Sequence, residues 1–113
     1  MHNVNLEEKL AAFDERWSPC MVTSYSGNDT MVVKLEGGFV WHSHLETDDF
    51  FLVLKSDLDI ETRDRTVPLG PEEPFVVPRG VEHRPVASGE VHLPLIEPAG
   101  TADPAAATEK TRA

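Results

Sequence analysis

Apolar residues along this chain come in short clusters separated by Gly, Pro, Asn and Asp, except near the N-terminus, where they recur at helical spacing. Leu6, Leu10, Phe13 and Trp17 share one helical face, and Asn5 three residues before Glu8 has the form of a capping box. This pattern predicts an amphipathic helix over about 5–16, ended by Ser18-Pro19. Met21–Tyr25 and the β-branched Thr30–Leu35 read as strands joined by a turn at Ser26-Gly27-Asn28-Asp29. Glu36-Gly37-Gly38 breaks the pattern before a further strand, Phe39–His44, and Leu45–Asp48 forms a connection. Phe50–Leu54 is apolar at every position, which predicts a strand covered on both faces. Ser56-Asp57 is a hairpin turn, Leu58–Thr62 the return strand and Arg63-Asp64-Arg65 a solvated turn. The stretch Pro68–Pro74 is too proline-rich for a central strand and leads into Phe75-Val76-Val77. After a turn at Pro78-Arg79-Gly80, Val81–Val86 and Val91–Glu97 form a last pair joined by Ala87-Ser88-Gly89-Glu90.

Many short strands punctuated by Gly/Pro turns indicate an all-β fold, a small antiparallel β-barrel or double-sheet roll with a short N-terminal helix. The expected organisation is a helical segment over 1–18, a β domain over 19–98, and a mobile tail over 99–113, which has no large apolar group to offset ordering entropy.

A length of 113 residues fits one domain. A domain this small buries a modest fraction of its surface, so the doubly apolar strand and the helix stripe together predict a homodimer. The excess of 20 acidic over 10 basic residues argues against a nucleic-acid partner, whose phosphates require clustered Lys and Arg. Cys20 is the single cysteine, so no intrachain disulfide is expected, and a free cysteine usually behaves as a small buried hydrophobe. No apolar run approaches the roughly 20 residues of a membrane span, and the opening residues lack the pattern of a signal peptide, so the expectation is no membrane association and a cytoplasmic location.

The chemistry concentrates between Trp41 and Leu54, where two of the five histidines and several carboxylates abut an apolar run. On a strand, His42 and His44 leave the same face roughly 7 Å apart at their Cα atoms. Two such rings can converge on one ion. Asp49 lies an odd number of positions from His44, so the chain must bend at Leu45–Asp48 to bring it inward. His83, after an apolar run and a Pro/Gly turn, supplies a third imidazole.

Gly38 to His44, Asp49 and Ser56, followed by Gly70, Pro78, Gly80 and His83, resemble the two sequence motifs of the cupin superfamily, and of its small single-domain members in particular. The likeness covers roughly residues 37–98. It implies a cupin jelly roll in which three histidines and one acidic residue bind a divalent metal at the mouth of the barrel. By position those ligands are His42, His44, Asp49 and His83. Such a set suits Fe, Mn, Ni, Cu or Zn. Side chains in phase with the ligands, Val40, Phe51, Val53, Val81 and Pro85, are expected to line the pocket.

Four features depart from the family pattern, one of them Pro71-Glu72-Glu73-Pro74 in place of the commoner Pro-Gly-Glu. Asp49 stands where glutamate is usual, which withdraws the carboxylate by roughly 1.3–1.5 Å. Either the backbone shifts inward, a water bridges, or the ion rests on three histidines. Ser56 replaces a glycine, and the asparagine after the last histidine is absent. Arg79 and Arg84 either hold a substrate anion or are solvated, and His92 either approaches the site or occupies an unrelated position. The resemblance implies a metal-dependent protein acting on a small organic molecule by dioxygenase-type chemistry, or as a Lewis-acid isomerase or cyclase. The alternative is a non-catalytic metal- or ligand-binding module, a sensor or accessory protein.

Overall fold

In the computed structural model, which describes residues 3–100, the chain opens with α1 (Leu6–Ala11). Seven strands follow: β1 (Cys20–Tyr25), β2 (Asn28–Gly38), β3 (Asp49–Leu52), β4 (Leu58–Thr62), β5 (Thr66–Leu69), β6 (Pro74–Val77) and β7 (His83–Pro98). The strands are antiparallel and make two sheets, one of five strands in the order β1-β2-β7-β4-β5 and one of the pair β3-β6. The arrangement is the double-sheet jelly roll expected. Among the described residues the sheets do not close into one barrel: no strand ladder joins β3-β6 to the larger sheet.

The core lies between the sheets. Val33 and Leu35 of β2, Phe51 of β3, Leu58 and Ile60 of β4, Val77 of β6, and Ala87, Val91 and Leu93 of β7 pack there with Val53 and Leu69. Alternate residues of β2, Val32 and Lys34, project from the opposite face and are buried as well, Lys34 to 6 % exposure. The N-terminal segment meets Lys34: Lys34 Nζ donates to the Phe13 carbonyl and sits over the Phe13 ring, and Trp17 N donates to Lys34 O at 2.8 Å.

This packing explains why the helix is shorter than its stripe predicts. Asn5 caps α1, its side chain accepting from Glu8 N at 2.9 Å, but the helix ends at Ala11. Phe13 and Trp17 leave the helical path for β2, and Trp17 takes a positive φ of 62°. Tertiary contacts outweigh the helical period.

Other expectations are corrected in the same way. Glu36-Gly37-Gly38 does not break β2, which runs on through an irregularity between Leu35 and Gly37. The turn expected at Ala87–Glu90 does not form; β7 is one strand of 16 residues, and Ser88, Gly89 and Glu90 are taken up as a bulge opposite Glu36, with Ala87 buried. Phe50–Leu54 is not covered on both faces within the chain: Phe51 and Val53 are buried, whereas Phe50 is 43 % and Leu54 36 % exposed. Pro68 sits in β5, an edge strand, where the proline costs no ladder bond on the open side. Ser56 holds a positive φ of 70°, the conformation for which glycine is the usual choice. Ala99 and Gly100, at the start of the expected tail, donate to Gly27 O and Asp29 Oδ2 of the β1–β2 hairpin. The rest of that tail, and His2, lie outside the described residues.

Candidate metal centre

The segment Phe39–His44 is not a regular strand; His42 alone makes a bridge, with His83 at the start of β7. That bridge is reciprocal: His42 N donates to His83 O at 3.0 Å and His83 N to His42 O at 2.9 Å. Phe39 N donates to Pro85 O, so the segment follows β7 without completing a ladder. The loop beyond it is pinned by the Pro78–Gly80 turn. Gly80, at φ 82°, donates to His44 O at 2.7 Å, and Arg79 N donates to Asp48 Oδ1 at 2.9 Å. Asp49 enters β3 opposite Val77, which turns its carboxylate toward the rings.

The four side chains converge. One ligating atom from each of His42, His44, Asp49 and His83 lies within 4.8 Å of the others. Asp49 Oδ2 is 2.9 Å from His83 Nε2, 3.5 Å from His44 Nε2 and 3.9 Å from His42 Nε2. The shorter aspartate therefore reaches the rings directly. Two imidazoles are oriented from behind: His42 Nδ1 lies 2.9 Å from Val40 O and His83 Nδ1 2.9 Å from Val81 O. An Nδ1–H donated to each carbonyl leaves Nε2 aimed at the centre, the orientation a metal-ligating histidine requires. Phe39 and Phe51 pack edge-on against His42 and His83 at 5.0 and 5.9 Å.

The electrostatics match this crowding. Burial pushes the Asp49 carboxyl up, but the surrounding imidazoles of His42, His44 and His83, the last in direct hydrogen bond, outweigh it and hold the group well below the usual carboxylate range. Burial pushes His83 down, yet the Asp49 carboxylate and the Val81 carbonyl outweigh it and leave the ring above its ordinary value of 6.5. Three imidazole nitrogens and a carboxylate oxygen, with rings fixed by backbone carbonyls, form a donor set suited to a first-row divalent transition metal.

Beside the centre lies a groove of about 350 Å³ lined by Thr62, Asp64, Arg65, Phe75, Val77, Pro78 and Val81. Of the expected pocket residues only Val81 lines it. Phe51, Val53 and Pro85 are buried, and Val40 meets the site through its carbonyl. The β4–β5 hairpin and β6 gave no chemical motif in the sequence, so their part in the groove was not readable there. Arg79 and Arg84, candidate anion holders, are ion-paired to Asp48 and Glu61. His92 does not join the four; it bonds Glu90 instead. Cys20 is half-buried. No helix among the described residues is long and apolar enough to cross a membrane.

No family profile matches the chain. The uncharacterized protein YdbB of Bacillus subtilis is 35 % identical over 49 residues, a stretch that is 42 % of this chain and 43 % of that protein, so the match spans less than half of either. A crystal structure of a cupin-2 domain containing protein from Shewanella frigidimarina is 39 % identical, with a TM-score of 0.81 over 84 % of this chain and 93 % of that one. Protein NMB1881 from Neisseria meningitidis is 31 % identical, with a TM-score of 0.76 over 87 % and 100 % of the two chains. Hydroquinone 1,2-dioxygenase from a Sphingomonas species, crystallised with 4-hydroxybenzoate bound, shares 13 % identity and a TM-score of 0.66 over 84 % and 72 %, a likeness of fold alone.

Proposed function

The chain belongs to the cupin superfamily, and from that premise we propose that it binds one divalent transition metal through His42, His44, Asp49 and His83 and acts on a small organic molecule by dioxygenase-type chemistry. The observation that carries this reading is the convergence of four ligating atoms with the Nδ1 atoms of His42 and His83 on backbone carbonyls. When bound, such an ion supplies Lewis acidity and, if redox-active, a route for electrons between an organic substrate and dioxygen. The residues' own work is to orient and to shield. The Val40 and Val81 carbonyls hold two rings, the Asp49 carboxylate stays ionised, and Phe39 and Phe51 keep water from the ring edges.

An isomerase or cyclase would need a general base beside the metal. The groove offers one carboxylate, Asp64, and its Oδ1 already accepts from Thr62 Oγ1 at 2.8 Å. Oxygenase chemistry needs only open coordination positions, which favours it. Glu97, the register partner of Asp29, lies at the far end of β7 from His83.

Protein purified without chelator is expected to carry about one transition-metal ion per chain by elemental analysis, and His42→Ala to remove it. The metal-loaded protein is expected to consume oxygen with a small aromatic or diketone substrate. Absence of any first-row metal would overturn the proposal. Bound metal with no turnover would leave the second reading, a non-catalytic ligand-binding module. The cytoplasmic location and the homodimer belong to the same proposal. The homodimer is supported by the neighbouring exposed residues Phe50 and Val76, partners on β3 and β6, with Val76 47 % exposed, and size-exclusion chromatography with light scattering tests it.

A further inference from the structure

Arginine pairing divides unevenly over this surface. Of the five arginines among the described residues, four sit against carboxylates: Arg16 with Glu36 and Glu90, Arg63 with Glu82, Arg79 with Asp48, and Arg84 with Glu61. Arg65 has no carboxylate partner among the described residues, although acidic residues outnumber basic ones two to one in this chain. It is also the arginine that lines the groove. Its backbone is fixed, since Arg65 N donates to Thr62 Oγ1 and Arg65 O accepts from Thr62 N at 2.8 Å. The exposed side chain is thus carried by a closed turn at the groove, and its guanidinium makes no ion pair with a described residue.

Phe75, Val77, Pro78 and Val81 make up the apolar part of the lining, and Val77 and Val81 are each one step from the four-residue centre. Val77 is the register partner of Asp49, Phe75 of Phe51, and Thr62 of His83, while the Val81 carbonyl holds the His83 ring. Directly opposed residues of an antiparallel pair project from the same face, so Val77 and Thr62 share the face of the ligating side chains. A volume of about 350 Å³ is at the small end of ligand sites. A cation with no ion pair to a described residue, an apolar lining and a size for a single ring define an occupant by complementarity.

We infer that the groove binds a small monocarboxylate with an apolar or aromatic body, its carboxylate on the Arg65 guanidinium and its body against Phe75, Val77 and Val81, beside the metal centre. A guanidinium fork matches a carboxylate with two parallel N–H···O bonds. Asp64, the one anion in the groove, is engaged by the Thr62 hydroxyl. That this occupant is the substrate rests on the metal-centre reading; that it binds does not.

The test uses the full chain, metal-free and loaded with Zn(II), titrated by calorimetry with benzoate, benzamide and acetate. Benzoate is expected to bind both forms, with benzamide, which lacks the charge, and acetate, which lacks the body, each about tenfold weaker. Arg65→Gln is expected to reduce benzoate to the level of benzamide while leaving benzamide affinity and zinc content unchanged, and Arg65→Lys to recover part of the loss. Equal binding of benzoate and benzamide, or benzoate binding indifferent to Arg65→Gln, overturns the inference and assigns the anion to the imidazoles or the metal. If the chain takes up no zinc yet benzoate binding still depends on Arg65, the metal reading falls and the groove stands. Zinc uptake with no Arg65 dependence gives the reverse.

Discussion

The strand β7 carries two histidine–carboxylate clusters, and they have opposite designs. At its start His83 joins His42, His44 and Asp49, where three rings surround one carboxylate and no Arg or Lys among the described residues pairs with it. Further along, His92 bonds Glu90, whose other oxygen takes Arg16 at 2.7 Å, and Arg16 reaches Glu36 as well. In that second cluster each carboxylate has a cation and the N-terminal segment lies across the neighbouring Lys34. There Glu90 is held below its ordinary value chiefly by the hydrogen bond with His92. The difference teaches that histidine content alone does not make a metal site. What distinguishes the first cluster is the convergence of lone pairs, with Nδ1 of His42 and His83 tied to carbonyls and Nε2 turned inward. The second is a fastening that holds the segment after α1 to the sheet.

The sharpest break of this contrast comes from paired alanine substitutions. His83→Ala is expected to lower metal affinity by more than about 100-fold, since removal of an outer hydrogen-bond partner alone costs 10- to 100-fold, whereas His92→Ala is expected to leave metal content unchanged. Elemental analysis of both variants decides it, and equal losses would erase the distinction. Asp49→Asn keeps the shape but removes the charge and turns one acceptor oxygen into a donor; competition with a chromophoric chelator is expected to read a loss of about tenfold or more. A smaller effect would mean that the ion rests on the three rings.

Acidity should separate the clusters too. A ligating His83 must give up its Nε2 proton, and its pKa in the metal-free protein lies above 6.5. Apparent metal affinity is therefore expected to fall by about tenfold per pH unit as pH drops below that raised value. The stability that the protonated His83–Asp49 pair contributes to the metal-free protein runs the other way. It is present in full below the unfolded-state value of about 6.5 and is lost as pH rises through the raised folded value. Thermal melts with and without metal across this range should diverge as pH increases. The smallest expected effect belongs to the fastening: Arg16→Ala removes two solvent-screened ion pairs and is expected to lower global stability little. Hydrogen exchange should quicken in residues 6–18 with no change in metal content.

Much of this was legible in the residues themselves. The strands Leu58–Thr62 and Phe75–Val77, the exclusion of Pro68 from a central strand and the turn at Pro78–Gly80 follow from alternation and from backbone chemistry, which act locally. Three histidines and an acid at family spacing singled out the four side chains that converge. The errors share one cause. Phe13 and Trp17 abandon the helix for contacts on β2, Ser88-Gly89 becomes a bulge because β2 and β4 hold both flanks of β7 in register, and His42 is placed by a bridge to a residue 41 positions away. None of these partners is near in the chain.

The amino-acid order by itself determined the class of fold, the family and the identity of the metal-ligand candidates, because alternation, turn residues and ligand chemistry are properties of short segments. Tertiary structure alone decided that Asp49 reaches the rings, that Arg65 lines a groove with no carboxylate partner among the described residues and that His92 belongs to a different cluster. Those outcomes depend on which distant strands lie side by side, and side-chain distances across a sheet are set by register and packing that no local pattern encodes.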